Sequence, residues 1–160
     1  MTITKDRLAP ADGTAFSLTV DYSKSLDRLV RVGGYDYACP EINEDNFPVD
    51  LSNGRVEVEI DAVLMHLDRS VTGDEAMEEL RRRNLRPATM FELLAFGVEY
   101  PDQPHQHSIV ELGSTWEQPW SEGITLSVGF LEADPEGNML GLDGFHMLWV
   151  PSVRFLASTK

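Results

Sequence analysis

The sequence predicts an α+β fold, with mixed and antiparallel sheets around two central helices. Three observations point there. Two Thr-x-x-Glu boxes, Thr72–Glu75 and Thr89–Glu92, head apolar stretches at helical spacing in mid-chain. Val56, Val58 and Ile60 alternate with Glu57, Glu59 and Asp61, and Ile124, Leu126, Val128 and Phe130 alternate with Thr125, Ser127 and Gly129, the period of two that strands impose. Pro, Gly and Asp clusters punctuate the C-terminal half at short intervals. At 160 residues the chain suits one structural unit, with residues 1–54 as an extension packed on a main α+β domain over 55–160.

The elements follow in order. Residues 1–13 read as an arm ending in Asp12-Gly13. Phe16–Val20 alternates like a half-buried strand, and Ser25–Val30 carries Leu26, Leu29 and Val30 at helical spacing before Gly33-Gly34 stops it. Tyr35 to Asn53, rich in Pro, Asn and Asp, reads as a loop with an extended piece at Phe47–Val49. The strand from Arg55 to Leu67 begins with one wet face. It then becomes apolar on both faces at Ala62–Met65, so that half must enter the core. Thr72 caps a helix over Asp74–Arg83 with acids in its first turn, arginines in its last and Asn84 as its stop. Pro87 forces an extended link, and Thr89 caps a second helix that ends at Phe96-Gly97. Strands are predicted at Ser108–Leu112, Ile124–Leu131, His146–Val150 and Ser152–Ala157, with turns at Asp134–Asn138 and Gly141–Gly144.

Composition narrows the function. Apolar types are 42 % and charged types 25 %, ordinary globular usage, which excludes a disordered or collagen-like chain. Net charge is −14, and from Pro87 to Val153 there is no Lys or Arg. Nucleic-acid grooves need such cations for phosphate, so direct nucleic-acid binding is not expected. The balance favours a protein partner or a neutral ligand. Cys39 stands alone, so no internal disulfide forms. Met1–Arg7 lacks the apolar core of a signal peptide and no run approaches a membrane span, which predicts a cytoplasmic protein without a membrane. The oligomeric state is left open.

Glu75-Ala76 with Leu80, Arg86-Pro87-Ala88-Thr89 with Glu92-Leu93, Ser114-Thr115-Trp116 and Val153-Arg154-Phe155 fall in the order helix, extended link, helix, Trp-bearing loop, terminal strand. Over about residues 55–157 this order resembles the C-type-lectin-like fold and the formylglycine-generating-enzyme-like domains related to it. The chain lacks the lectin disulfide cysteines, the Glu-Pro-Asn and Trp-Asn-Asp calcium motifs and the paired oxidative cysteines of those enzymes. What the resemblance implies is therefore the scaffold and its habit of carrying ligands on C-terminal loops. Arg86–Thr89, Glu92–Phe96, Leu112–Ser114 and Arg154–Ala157 also resemble a group of bacterial and phage-associated proteins, which adds a pattern and no mechanism.

The candidate contact residues are Trp116, Gln118 and Trp120 in one loop and Asp134, Glu136, Asn138 and Asp143 around the next turns. Loop tryptophans serve as sugar platforms and protein hot spots. The four oxygen-bearing residues lack the EF-hand spacing and read as an acidic hairpin. Glu57, Glu59, Asp61, Glu75, Glu78 and Glu79 form a candidate acidic patch, read either as a solvated face or as a surface that docks on a basic protein. Arg81, Arg82 and Arg83 neutralise neighbouring acids, while Arg86 either does the same or points inward. His66 and His146, each among apolar residues, read as half-buried. His105-x-His107 would hold a metal only if both side chains shared a face and Glu99, Asp102 or Glu111 completed the site; two histidines in a Pro-rich loop do not by themselves make one. With no cofactor motif, metal centre or catalytic constellation, the reading is a non-enzymatic binding module on C-terminal loops. The alternative is an acidic decoy, of a kind a phage could encode, occupying the basic groove of a nucleic-acid-handling protein.

Overall fold

A computed structural model describes residues 15–49, 51, 54, 56–119 and 125–159. The predicted arm over 1–13 and the starts of two strands, Arg55 and Ile124, lie outside the described residues. The fold is α+β. In chain order it comprises β1 (Ala15–Asp21), α1 (Leu26–Val32), β2 (Tyr37–Ala38), β3 (Glu57–His66), β4 (Val71–Thr72), α2 (Gly73–Arg82), β5 (Leu85–Pro87), α3 (Met90–Glu99), a 3-10 turn (Gln103–His105), β6 (Ile109–Val110), β7 (Trp116–Gln118), β8 (Thr125–Asp134), β9 (Gly137–Gly144), β10 (Leu148–Trp149) and β11 (Arg154–Thr159).

One sheet runs β1-β3-β11-β6-β8-β9-β2, while β4 and β10 form a separate two-stranded ladder. Most pairs are antiparallel, but β6 runs parallel to β11 and β2 parallel to β9, so the sheet is mixed. β1 and β2, from the predicted extension, are strands of this same sheet.

Both faces of the sheet are covered, and neighbouring residues on its central strands part into two cores. Ala62, Leu64, Ile109 and Leu156 pack with Leu26 and Leu29 of α1 and with Leu93, Leu94 and Phe96 of α3. Val63, Met65, Val110, Phe155 and Ala157 pack with Ala76 and Leu80 of α2 and with Val71 and Trp149 of the small ladder. A strand buried on both sides cannot alternate with polar residues, which is why Ala62–Met65 reads as a continuous apolar run. Both capping boxes form: Thr72 and Thr89 each accept the backbone N–H three residues on, and Glu75 and Glu92 each accept the N–H of their cap. Asn84 ends α2 in the left-handed region at φ 59°, a conformation Asn tolerates better than most residues.

Several expectations are corrected. Helix α3 runs through Gly97 to Glu99, because the glycine there answers a close approach and not a chain reversal. Gly141–Gly144 is the end of a strand, since every residue of β9 is paired with β8 and only Pro135 and Glu136 turn. Trp116–Gln118, expected as loop, is β7 against β8. The predicted loop 35–53 contributes β2, but Phe47–Val49 joins no strand. Of Ser108–Leu112 only two residues pair, because the sheet divides there. Of His146–Val150 only Leu148 and Trp149 pair, with β4. Among the described residues no helix is long and apolar enough to cross a membrane.

Candidate functional site

The predicted contact residues are mostly occupied with structure. Trp116 is half-buried on β7 and packs against the α1–α3 core. Gln118 donates from Nε2 to the Ser127 hydroxyl at 2.6 Å. Trp120 lies outside the described residues. Asp134 closes the hairpin turn, its Oδ1 accepting the N–H groups of Glu136 and Gly137 at 2.8 and 3.0 Å. Asn138 donates its backbone N–H to Asp36 at 2.7 Å. Asp134 is paired with Gly137 and Asp143 with Val128, so Asp143 stands at the far end of the hairpin, about 20 Å from the turn at ~3.3 Å per strand residue. Asp134, Glu136 and Asn138 therefore share a place that Asp143 does not.

The acidic patch also divides. Glu57 and Glu59 are exposed on β3 and Asp61 is half-buried, beside Asp21, Thr19 and Ser17 of β1. On α2 the charge is largely answered. Glu75 is spent in its capping box and Glu78 pairs with Arg81. Glu79 is buried, not part of a wet patch. Hydrogen bonds from Arg82 and Arg83, both at 2.7 Å, hold its carboxyl below the ordinary range.

A groove opens where the β8–β9 hairpin leaves the cover of the small ladder, with a volume of about 170 Å³. Phe130 forms part of its floor, lying over Gly141. A Cβ at that glycine would come 2.6 Å from the ring, so only glycine lets the ring lie there. Trp149 is buried at one wall, its indole N–H directed at the Phe145 carbonyl at 3.4 Å. Met147 and Val150 line the groove and are exposed, as is Leu148 between them.

Two carboxylates, Glu132 and Asp143, also line it. Glu132 accepts the Ser108 hydroxyl at 3.0 Å, and Asp143 accepts only the neighbouring Gly144 N–H. Neither makes an ion pair among the described residues. The 67-residue stretch that holds them, Pro87–Val153, has no Lys or Arg to supply one. The nearest basic side chain in sequence, Arg154, donates to the Ser152 carbonyl at 3.1 Å.

His66 lies 3.6 Å from Asp68, and His146, expected half-buried, is exposed and 3.3 Å from Asp74. Burial lowers the His107 pKa, and nearby Arg154 and His66 lower it further. Cys39 is half-buried. Burial raises its thiol, which faces Glu41 at 3.3 Å, the reverse of what a nucleophile needs. Among the described residues no group of three His, Cys, Asp or Glu is placed to hold a metal.

Glu132, Met147 and Val150 were not singled out from sequence. Glu132 has the same strand parity as Phe130, and Met147–Val150 is an apolar run beside turns. Nothing local says that the two meet. No family model, curated protein or solved structure matches this chain.

Proposed function

We propose that this protein is a non-enzymatic binding module, and that its β8–β9 groove receives a protein segment in which Lys or Arg is flanked by apolar residues. The observation that carries the reading is the pair of carboxylates without a cation partner among the described residues, Glu132 and Asp143, set beside Phe130, Trp149 and an exposed apolar rim. Both carboxylates are exposed and have no ion-pair partner among the described residues, so they are free to meet an incoming cation as complementary charge. Aromatic faces next to the carboxylates favour the same cation. The rim of Met147, Leu148 and Val150 adds apolar area that a flanking Leu or Val covers. The scaffold reading, a C-type-lectin-like arrangement, rests on β5 pairing with β11 and on the two capped helices that precede and follow β5. A second reading, the acidic decoy, draws support from exposed Glu57 and Glu59 on β3.

Titration with a Leu-Arg-Leu peptide, followed by amide and indole NMR shifts, tests the groove. Shifts at Glu132, Asp143 and the Trp149 indole are expected, with little response to a Leu-Glu-Leu control. The Glu132→Gln, Asp143→Asn double variant should weaken binding by about tenfold or more, in line with measured couplings of close charge pairs. Equal binding of both peptides, or no loss in the double variant, overturns the reading. Shifts confined to Glu57 and Glu59 favour the decoy surface instead.

A further inference from the structure

The sheet divides between β11 and β8. β6 pairs with both for two residues only, after which β5 continues along β11 and β7 along β8. Into this fork comes the head of α3. The gap is bridged by Gly113, whose N–H donates to the Ala88 carbonyl at 2.8 Å. A Cβ on Gly113 would lie 2.5 Å from that oxygen. Ladder partners are missing at the fork, and the fully buried Glu111 replaces them: its carboxylate accepts the N–H groups of Ser114 and Gly129, each at 2.8 Å. Glu92, also buried, is gripped by Arg86 at 2.7 and 2.9 Å.

In front of this framework lies a cavity of about 310 Å³, within the range of small-molecule sites. It shares no residue with the β8–β9 groove. Tyr22 and Phe91, stacked at 4.7 Å, form one wall, and Phe47 and Val49 contribute apolar surface. Two aliphatic hydroxyls line it: Thr89 accepts the Glu92 N–H and Ser114 accepts the Met90 N–H. Neither hydroxyl proton has an acceptor among the described residues, so both remain to be donated. No lining residue is ionised. The titratable groups nearest it are committed to the framework: Glu92 is paired with Arg86, and Glu111 is held by backbone N–H groups.

We propose that this cavity binds an uncharged small molecule bearing a flat ring and a hydrogen-bond acceptor. The ring lies against Tyr22 and Phe91, and the acceptor takes the Thr89 and Ser114 hydroxyls. A cation finds no carboxylate in the lining and an anion finds no Lys or Arg there, so either would be desolvated without a counter-charge. The buried carboxylates hold the polar wall in place before the ligand arrives, as a preorganised site requires.

Benzamide is the probe, observed by saturable shifts of the Tyr22 and Phe91 ring resonances. Binding in the millimolar range is expected, with benzoate at least tenfold weaker. Val49→Trp, which fills the cavity, should abolish the shifts while circular dichroism and Tm show the fold retained. Should that variant not fold, Ser114→Ala is expected to weaken benzamide about fivefold, the worth of one hydrogen bond. No saturable shift, benzoate binding as tightly as benzamide, or shifts that persist unchanged in the variant that folds would each overturn the proposal.

Discussion

At the scale of single residues, the Arg86–Glu92 pair illustrates what a carboxylate at the third position of a helix can be asked to do. Glu92 accepts the Thr89 N–H as half of the capping box and takes both guanidinium nitrogens of Arg86 as well. The bond to Glu92 is the main reason that the Arg86 pKa is raised above its ordinary value. Removing one partner leaves the other's charge buried, which is worse than never having had the pair. Arg86→Leu should therefore destabilise by about 3 kcal/mol in chemical denaturation. That is the low end for buried pairs, because the Arg86 side chain is 37 % exposed. Adding Glu92→Gln keeps an acceptor for Thr89 and removes the orphan charge, so the double variant should recover part of the loss. A double variant less stable than Arg86→Leu would count against a charge effect. Arg86 is also where sequence reading left two choices open. The capping chemistry is local and could be read, but the burial that turns Arg86 inward comes from strands far along the chain.

At the scale of elements, α3 shows a glycine used for space. Gly97 sits within the helix, and a Cβ there would come 2.9 Å from Leu131 Cδ1 and 2.9 Å from the Tyr35 hydroxyl. That hydroxyl is buried without a hydrogen-bond partner among the described residues, and burial pushes its pKa up to about 12. Helix propensity alone would make Gly97→Ala stabilising by about 1 kcal/mol. Overpacking opposes it by roughly 1–3 kcal/mol. The expected result is a net loss of about 1 kcal/mol and a Tm lower by about 2–4 °C. A raised Tm would mean that Leu131 and Tyr35 yield more easily than their packing implies. The same residue misplaced the helix end in the sequence reading, because glycine after an apolar run is also the common stop signal. Only the tertiary neighbours distinguish the two uses.

At the scale of the whole molecule, Glu111 stands where the two halves of the divided sheet meet, and its titration bears on global stability. Burial raises its carboxyl to about 8, and nearby Glu92 adds to the rise. Backbone N–H groups of Gly129, Ser114 and Gly113 oppose it. Between the ordinary value of 4.5 and about 8 the folded state holds a proton that the unfolded chain has lost. Stability from this group is thus fully present below pH 4.5 and is lost as pH rises through about 8. Thermal unfolding from pH 6 to pH 9 should show Tm falling. Glu111→Gln should flatten that fall, although it lowers Tm throughout because an amide cannot accept both N–H groups. An unchanged slope in the variant would assign the pH dependence elsewhere.

The α+β class, both capping boxes, the strand that must be buried on two faces and the cation-free stretch Pro87–Val153 are legible in the order of residues. These rest on residues at most a few positions apart, or on composition, so no folding is needed to see them. The tertiary structure alone decided where the sheet divides, that Glu111 fills the gap, and that Glu132 and Asp143 share a groove with Trp149. It also paired β2 with β9, joining Tyr37 and Met139 across a hundred residues. Such contacts form because apolar faces must find one another and every buried N–H must find an acceptor. Those demands are met between segments distant in the chain, where local spacing carries no signal.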